Sequence, residues 1–450
     1  MSLLTTIRQA RRPRIAAVLV VVHLAFGSAT ASPVDEGRAA RYSPLVEDGG
    51  LTLSQVVREA ADRHPEAGRS RARHREAVAL RGRAEGWLSS NPAGVVTHYN
   101  DAPTTADGNR EWEAGVELPL WHLGQRAARR ALAEAAEDRA RSLPEAVRLQ
   151  AAGRVREALW ALALQRNRVA LARTELGNAR SLADKVQRRL ELGDLARTDQ
   201  LLARERVVAK EGVLERARSR LRVLRAEYRR ITGLDRIPSQ YDESEAVSGA
   251  LATLARPRPP SGKTVPTTEH PFLRRSAREV EQLKARRELA GLEAAEPPSL
   301  VLGTRQERAA DGSKVNSLHA SLRVPFGGAQ QRAGRRAAVG VDLAAARSRL
   351  ARQRREIEVA LDEARQGLSV ARRTLRQARE REDIAGQSRD LARTAFDAGE
   401  YDLIDLVKVQ DQYAAARRDR AQQALKLKRA IARFHQAAGV IPWPRSEFSQ

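Results

Sequence analysis

The chain has 450 residues, no cysteine and a formal net charge of +24 at pH 7. Without cysteine it has no disulfides, no thiolate metal site, no cysteine nucleophile and no lipid-bearing cysteine. So high a positive charge suggests nucleic acid as a possible partner. The basic residues are mostly arginines, however, and they alternate with glutamate along the chain rather than with aromatic residues that stack on bases. We expect mostly solvated helix faces, with a polyanion site as the alternative, and no nucleic-acid partner.

Residues 1–31 have the pattern of a secretory signal peptide. Four arginines precede an apolar run at 15–26, and Ala29-Thr30-Ala31 supplies the small residues of a cleavage site. The alternative is a membrane anchor, but about 12 apolar residues are fewer than the roughly 20 that a spanning helix needs. Export also argues against a nucleic-acid partner. We expect residues 32–50 to form an extended N-terminal arm and 443–450 a C-terminal tail.

The chain repeats itself with a constant offset. His64-Pro65 recurs as His270-Pro271, an offset of 206 positions (270 minus 64). A register held over most of the molecule indicates two copies of one structural unit. We predict repeats at 51–237 and 269–442, joined by a linker at 238–268 that is rich in proline and serine. Other pairs with this offset are Pro119 and Pro325, Gly193 and Gly399, Asp199 and Asp405, and Gly233 and Gly439.

Each repeat is predicted to open with short helices. In the first repeat a helix begins near residue 53, with Ser54 as its cap, and the sequence His64-Pro65 interrupts it. A second helix is expected from Pro65 to about residue 88. After this helix the hydrophobic period changes from 3.6 to 2, which is typical of strands.

The predicted strands occupy about 94–101 and 111–120, and 299–306 and 316–325. In the strand at 111–120, Trp112 and Val116 alternate with three carboxylates, Glu111, Glu113 and Glu117. This pattern is typical of a membrane strand with lipid on one side and a watery lumen on the other. The alternative is two soluble hairpins packed on helices. Four strands cannot close a barrel, so membrane strands would require several copies of the chain.

Four long helices are predicted at about 125–190, 196–232, 330–397 and 401–438. These segments are rich in Ala, Leu, Arg, Glu and Gln, which favour helices. At 1.5 Å per residue, 60 helical residues span about 90 Å. Helices of this length are typical of coiled coils and bundles. Pro144, whose counterpart is Leu350, predicts a kink in the first of them.

With these elements in this order, residues 51–442 resemble the TolC-like outer membrane efflux protein family. The most specific feature is the turn between long helices, a glycine followed six residues later by an aspartate, at Gly193 and again at Gly399. The resemblance implies a mainly α protein with membrane β-strands. It implies a homotrimer whose protomers form a 12-stranded barrel in outer-membrane lipid, continued across the periplasm by an α-helical barrel.

The resemblance also implies the roles of particular residues. Asp405 matches a carboxylate that forms a ring at the channel gate, whereas Lys408 stands where a second carboxylate is expected. From the residues alone, the alternative is that Asp199 and Asp405 stabilise helix N-termini. The two glycines fit C-terminal caps with positive φ. The helix turns would be periplasmic tips that dock an adaptor protein, through Gly193, Asp194, Thr198, Asp199, Gly399, Glu400 and Tyr401.

The leading hypothesis is a passive exit duct of a tripartite efflux or type I secretion system, powered by an inner-membrane pump. The alternative is a soluble periplasmic coiled-coil scaffold without a channel. The eight histidines are scattered, and no zinc-protease, nucleophile-elbow or phosphate-loop motif is present. We therefore expect no enzyme, metal site or cofactor. Metal ions, drugs, peptides and proteins all fit as the exported substrate.

Overall fold

The computed structural model describes residues 44–103, 108, 110–244, 270–293, 296–309 and 311–442. The predicted signal peptide, most of the arm and linker, and the tail lie outside these ranges. Helices α1 to α7 span Leu53–Asp62, Pro65–Glu85, Gln125–Glu191, Arg197–Thr232, Pro271–Leu292, Ala329–Asp397 and Leu403–Ala437. Strands β1 to β6 span Val46–Asp48, Ala93–Asn100, Arg110–Pro119, Arg236–Pro238, Ser299–Arg308 and Lys314–Arg323.

The first helix is capped by Thr52 and not, as predicted, by Ser54. Thr52 Oγ1 accepts a hydrogen bond from Gln55 N at 3.3 Å, and Gln55 Oε1 accepts one from Thr52 N at 2.8 Å. This reciprocal pair is a capping box. Ser54 already lies inside the helix, and its Oγ lies 2.9 Å from the Oγ1 of the capping Thr52.

The His-Pro sequences start α2 and α5 in the same way. His64 Nδ1 accepts from Glu66 N at 3.2 Å, and His270 Nδ1 accepts from Phe272 N at 3.3 Å. The proline that follows each histidine has no N–H to leave unpaired in the first turn. The sequence predicted a break at these positions, and the structure adds that the histidine caps the next helix.

The long helices form two antiparallel hairpins, α3 with α4 and α6 with α7. Helix α3 continues through Pro144, which removes one hydrogen bond from its interior. Helix α2 packs on α3, whereas α5 packs on both α3 and α6, and α7 also contacts α3. No helix in the described ranges is both long and apolar enough to cross a membrane.

The largest core lies where α1 covers α3 and α4. Val56 and Val57 pack there with Leu159 and Tyr228, and all four side chains are buried. Strand β1 pairs in parallel with β4, which ties the N-terminal arm to the segment after α4. This pairing was not foreseen from the sequence, because each strand has only three residues.

The four longer strands form one antiparallel sheet in the order β2-β3-β5-β6. Their ends lie within two residues of the predicted positions. Strands β3 and β5 pair across the two repeats, and Gly115 faces Gly303 at this junction. A Cβ at position 303 would lie 2.5 Å from Ala114 O, so only glycine permits this close approach of the two backbones.

Candidate functional site

The two faces of the sheet differ in chemistry. Glu111, Glu113 and Glu117 lie on one face of β3 and are half-buried, whereas Trp112 on the other face is 52% exposed. The pairing of neighbouring strands keeps polar residues on one face and apolar residues on the other. Across β3 and β5, residue 113 is opposite residue 305 on the polar face, and residue 116 is opposite residue 302 on the apolar face.

Arg305 of β5 joins the predicted carboxylates. Its Nη2 lies 2.6 Å from Glu111 Oε2 and 2.6 Å from Glu307 Oε1, and its Nε lies 3.7 Å from Glu113 Oε1. The polar face is therefore an ion cluster rather than a bare acidic strip. Arg305 was not predicted from the sequence, because its neighbours Thr304 and Gln306 are polar too and alternation does not show which residues share a face.

The opposite face of the sheet carries exposed apolar side chains over the half nearer the long helices, whereas His98, Gln306 and Asn316 make its other end polar. Its members share the even positions of β2, β3, β5 and β6. Exposed apolar surface of this extent usually marks contact with a membrane or a partner. The exposed fractions are 71% for Val96, 48% for Val116, 46% for Leu302, 89% for Leu318 and 62% for Leu322.

Helix α3 ends in a Schellman motif, which forms the turn toward α4. Gly193 has φ of +82°, and its N–H donates to Leu190 O at 3.0 Å, while Asp194 N donates to Arg189 O at 2.9 Å. Gly399 closes α6 in the same way with φ of +83°. The predicted positive φ of both glycines is confirmed. These turns present Asp194 and Glu400 to solvent.

Asp199 stabilises the start of α4. Its Oδ2 accepts a hydrogen bond from Ala196 N at 3.1 Å, so the carboxylate satisfies an amide in front of the first turn. This is the capping role that the sequence left as an alternative. Thr198, on the same turn, is exposed.

Asp405 lies in the first turn of α7, where a carboxylate is stabilised by the helix dipole. Its Oδ1 accepts from Lys408 Nζ at 2.9 Å, and this hydrogen bond raises the pKa of Lys408. The pair forms within a single helix, so Lys408 has a partner in its own protomer. Both side chains are about half exposed, at 52% for Asp405 and 65% for Lys408.

The two helix turns lie together, because both are anchored on one apolar cluster. Phe396, Val186 and Leu406 are buried in this cluster, and the partly buried Tyr401 packs against it. The Arg189 guanidinium lies 4.9 Å from the centre of the Phe396 ring, a cation–π contact. Phe396 begins the motif of the second turn, but no packing role was predicted for it, although phenylalanine is rare in this chain, with six residues. Leu192, beside the first turn, is 77% exposed.

An ion network behind the tips joins α3, α4 and α7. Arg206 donates to both Asp411 oxygens, at 2.6 and 2.7 Å, and Lys210 lies 3.0 Å from Glu175, which Arg418 also reaches at 3.2 Å. Burial alone would raise the pKa of Asp411, but the hydrogen bond from Arg206 and the nearby cations outweigh it and lower that pKa. Residues this far apart in sequence cannot be paired from periodicity. In the described part of the chain, no cluster of His, Asp and Glu could hold a metal ion.

Several solved structures share this fold. The CmeC outer membrane channel of Campylobacter jejuni is 14% identical, with a TM-score of 0.62 over 86% of this chain and 85% of that one. The outer membrane protein VceC of Vibrio cholerae is 12% identical, with a TM-score of 0.65 over 86% and 96% of the two chains. The open MtrE outer membrane channel of Neisseria gonorrhoeae is 12% identical, with a TM-score of 0.62 over 87% and 89%.

No protein-family model matches the sequence, and no curated protein matches it significantly. The fold is mostly helical and is that of TolC-like outer membrane channels. The resemblance predicted from the sequence is confirmed at the level of the fold.

Proposed function

We propose that this protein is the outer-membrane exit duct of a tripartite efflux or type I secretion system. One observation carries the proposal: a sheet with one exposed apolar face and one ion-bearing face is continuous with two hairpins of very long helices. Lipid suits the first face, and a water-filled lumen suits the second. A duct of this kind is passive, and the long helices extend it into the periplasm.

The duct is a homotrimer in this proposal. Among the residues that the structure describes, the sheet has two edge strands, β2 and β6, whose outer sides pair with no other strand. An open edge is not stable in lipid, so these edges pair between copies. Three copies, the number implied by the resemblance to TolC-like proteins, give 12 strands.

The tips are the docking site for a periplasmic adaptor protein, which couples the duct to an inner-membrane pump. The Schellman turns fix the backbone at Gly193 and Gly399, and exposed groups surround them. These include Asp194, Glu400 and the apolar Leu192. An adaptor that carries both apolar and basic groups would complement this surface.

The gate lies near the same tips. Asp405 and Lys408 form a paired acid and base on the first turns of α7, and three copies of this pair around a common axis would set the charge at the entrance. The pair is a charge filter in this proposal. It needs no link between protomers, because each lysine is held by its own helix.

The test separates a duct from a soluble scaffold. The full-length chain is expressed with its signal, membranes are separated by density, and the purified protein is added to planar bilayers. We expect it in the outer-membrane fraction, extracted only by detergent, with stepwise conductance. Recovery in the soluble periplasmic fraction, with no conductance from the purified protein, would instead establish the scaffold.

A further inference from the structure

A cavity of about 410 Å³ lies between α2, α3, α5 and α6. Its size falls within the range of about 300–1,000 Å³ that is usual for small-molecule sites. Each of the four helices contributes one arginine to the lining, where Glu293 supplies a single carboxylate among the described residues. Four guanidinium groups and one carboxylate leave a formal charge of +3 (four minus one). The arginines are Arg83 of α2, Arg129 of α3, Arg286 of α5 and Arg335 of α6.

The two repeats build this cavity from equivalent positions. The arginines of α3 and α6 hold the same place in a sequence that recurs at the offset of 206 (335 minus 129), Gln-Arg-Ala-x-Arg-Arg-Ala. On α2 and α5 the charged and apolar positions are exchanged, so that each repeat still supplies two arginines. Both repeats thus share the positive charge of the cavity. The equivalent pairs are Arg129 and Arg335, Leu80 and Arg286, and Arg83 and Leu289.

Two of the arginines are held in place by the same residue. Arg129 Nε donates to Glu293 Oε1 at 2.7 Å, and Arg129 Nη1 donates to Ser89 O at 3.0 Å. The Arg129 guanidinium also lies 4.9 Å from the centre of the Trp121 ring. Arg335 Nη1 donates to the backbone oxygen of Glu293 at 3.0 Å. Because these contacts fix the two side chains, little of their conformational freedom remains to be lost when a ligand binds.

The other two arginines lack such a partner. Among the residues that the structure describes, neither Arg83 nor Arg286 forms an ion pair, and both side chains are exposed. Like charges around one cavity repel one another, and an anion between them removes this repulsion. The guanidinium group presents a planar fork of donors that matches the oxygens of phosphate. The cavity therefore combines two fixed and two unpaired arginines around a space that suits an anion.

Most of the remaining lining is apolar. Leu132 and Leu289 are buried side chains at the cavity, and Leu80 and Val339 extend the same wall. A small inorganic anion would leave this wall against water, whereas an anion joined to hydrocarbon covers it. The lining therefore favours an amphiphile whose head group meets the arginines and whose chain meets the leucines.

The cavity lies at the boundary between the helices and the sheet. None of the four arginines is more than six residues (292 minus 286, and 335 minus 329) from the helix end that adjoins a strand. At 1.5 Å per residue this is at most about 9 Å. In the proposed duct the sheet lies in lipid, so this boundary is at the level of the lipid head groups. Basic pockets between helices at a membrane surface bind anionic head groups.

We propose that this cavity binds the phosphate group of an anionic phospholipid. The four arginines surround the phosphate, and the leucine side chains contact the first part of an acyl chain. The inference rests on the proposed duct, because the duct places this boundary at a membrane surface. A bound lipid neutralises the excess charge and joins the two repeats where the helices leave the membrane.

Calorimetric titration of the purified full-length protein in an uncharged detergent tests the site. The probes are dihexanoyl phosphatidylglycerol, dihexanoyl phosphatidylcholine, which has no net charge, and inorganic phosphate, which has no chain. We expect the anionic lipid to bind at least about tenfold more tightly than either of the others, because it supplies both the charge and the chain.

The unpaired arginines supply the variant. Arg83→Gln with Arg286→Gln should lower the affinity for phosphatidylglycerol at least about tenfold, and helical circular dichroism should stay unchanged because neither residue has an ion pair to lose. Arg83→Lys with Arg286→Lys keeps the charge and should retain part of the binding. The matched control is Arg75→Gln with Arg130→Gln, which removes the same charge from exposed positions outside the cavity. It should change the affinity less than about twofold.

The outcomes separate this inference from the proposed duct, since none of these titrations requires conductance. Equal loss of binding in the two glutamine variants, or equal binding of the two lipids, would overturn the inference. Inorganic phosphate that binds as tightly as the lipid would overturn the lipid and leave a phosphate site. A protein that conducts without binding phosphatidylglycerol removes the lipid site alone, whereas one that binds it but is soluble and does not conduct removes the duct and retains the site.

Discussion

At the residue scale, the histidine of each His-Pro sequence has the same structural role in both repeats. Each histidine caps the helix that follows it with Nδ1, which can accept a hydrogen bond only when it carries no proton. The last glycine of the second repeat packs against this cap. A Cβ at Gly439 would lie 2.8 Å from His270 Cδ2, and Gly439 also has φ of +78°. His270 and Gly439 are therefore in contact in the second repeat, whereas in the first repeat a Cβ at Gly233 would meet the Arg63 guanidinium.

The histidine caps predict a loss of stability in mild acid. Burial lowers the pKa of His270 from 6.5 to about 4. Below pH 6.5 the unfolded chain binds a proton that the folded chain refuses, so the contribution is complete above pH 6.5 and falls as the pH drops toward 4. Between pH 7 and pH 5 the free energy of unfolding should fall by about 2 kcal/mol from this residue.

His270→Asn should remove that part of the pH dependence, because asparagine caps a helix without titrating. The measurement is urea unfolding in detergent at both pH values, followed by helical circular dichroism. His74→Asn, at an exposed position on α2, is the control and should keep the wild-type slope. If the unfolding free energy of His270→Asn kept the wild-type dependence on pH, His270 would not be the residue that causes it.

At the element scale, strands and long helices were predictable because the segments are long and their hydrophobic periods, 2 and 3.6 residues, are regular. Alternation placed Glu111 and Val116 on opposite faces of β3, as observed. Contacts between elements were not predictable in the same way. Arg305 reaches Glu111 across two strands, and Asp411 reaches Arg206 between two helices. These depend on packing, which a single sequence does not encode as a period.

The two faces of the sheet should respond in opposite ways to a positive charge. Val116→Arg or Leu322→Arg puts an arginine on the exposed apolar face, which should cost about 2–4 kcal/mol near the bilayer midplane. Glu117→Arg, on the polar face, is the matched control and should insert like the wild type. The measurement is the folded fraction in outer-membrane preparations and the unfolding free energy in liposomes. Equal insertion of all three variants would show that the apolar face does not meet lipid.

The helix tips depend on two glycines with left-handed backbone. Space is not the constraint, since no atom lies within 4 Å of a Cβ built at Gly193 or Gly399. Gly399→Val should therefore disturb the turn through its backbone alone, at a cost of about 1–2 kcal/mol. Gly399→Asn should be milder, since asparagine tolerates this conformation.

We expect Gly399→Val to weaken adaptor binding, measured by pull-down or interferometry with the purified adaptor, while the oligomer still assembles. If the oligomer is lost and the surviving protein binds adaptor normally, the glycine is structural only.

At the scale of the whole molecule, buried and half-buried ion pairs join distant segments in addition to the apolar clusters. Arg156 of α3 forms a bidentate bond with Glu243 at 2.6 and 2.9 Å, and His435 of α7 lies 3.3 Å from the same carboxylate. Burial opposes ionisation of Glu243, but its hydrogen bonds to His435 and Arg156 outweigh it and lower its pKa. The arginine-rich composition thus serves packing as well as solvation, which composition alone did not indicate.

At the same scale, we expect the pair of Asp405 and Lys408 at the tips to set the ion preference of the duct. Asp405→Asn leaves Lys408 without its carboxylate, so cation preference through the duct should fall. Lys408→Ala leaves Asp405 unopposed, so cation preference should rise. Neither change should prevent assembly, because the pair is exposed and lies within one helix. The measurement is the reversal potential of single channels in a salt gradient. Repeating it near 1 M salt, where the Debye length falls to about 3 Å, should shrink both shifts. Shifts of the same sign, or none at low salt, would place Asp405 and Lys408 away from the path of the ions, and Asp405 would then remain only a stabiliser of the α7 N-terminus.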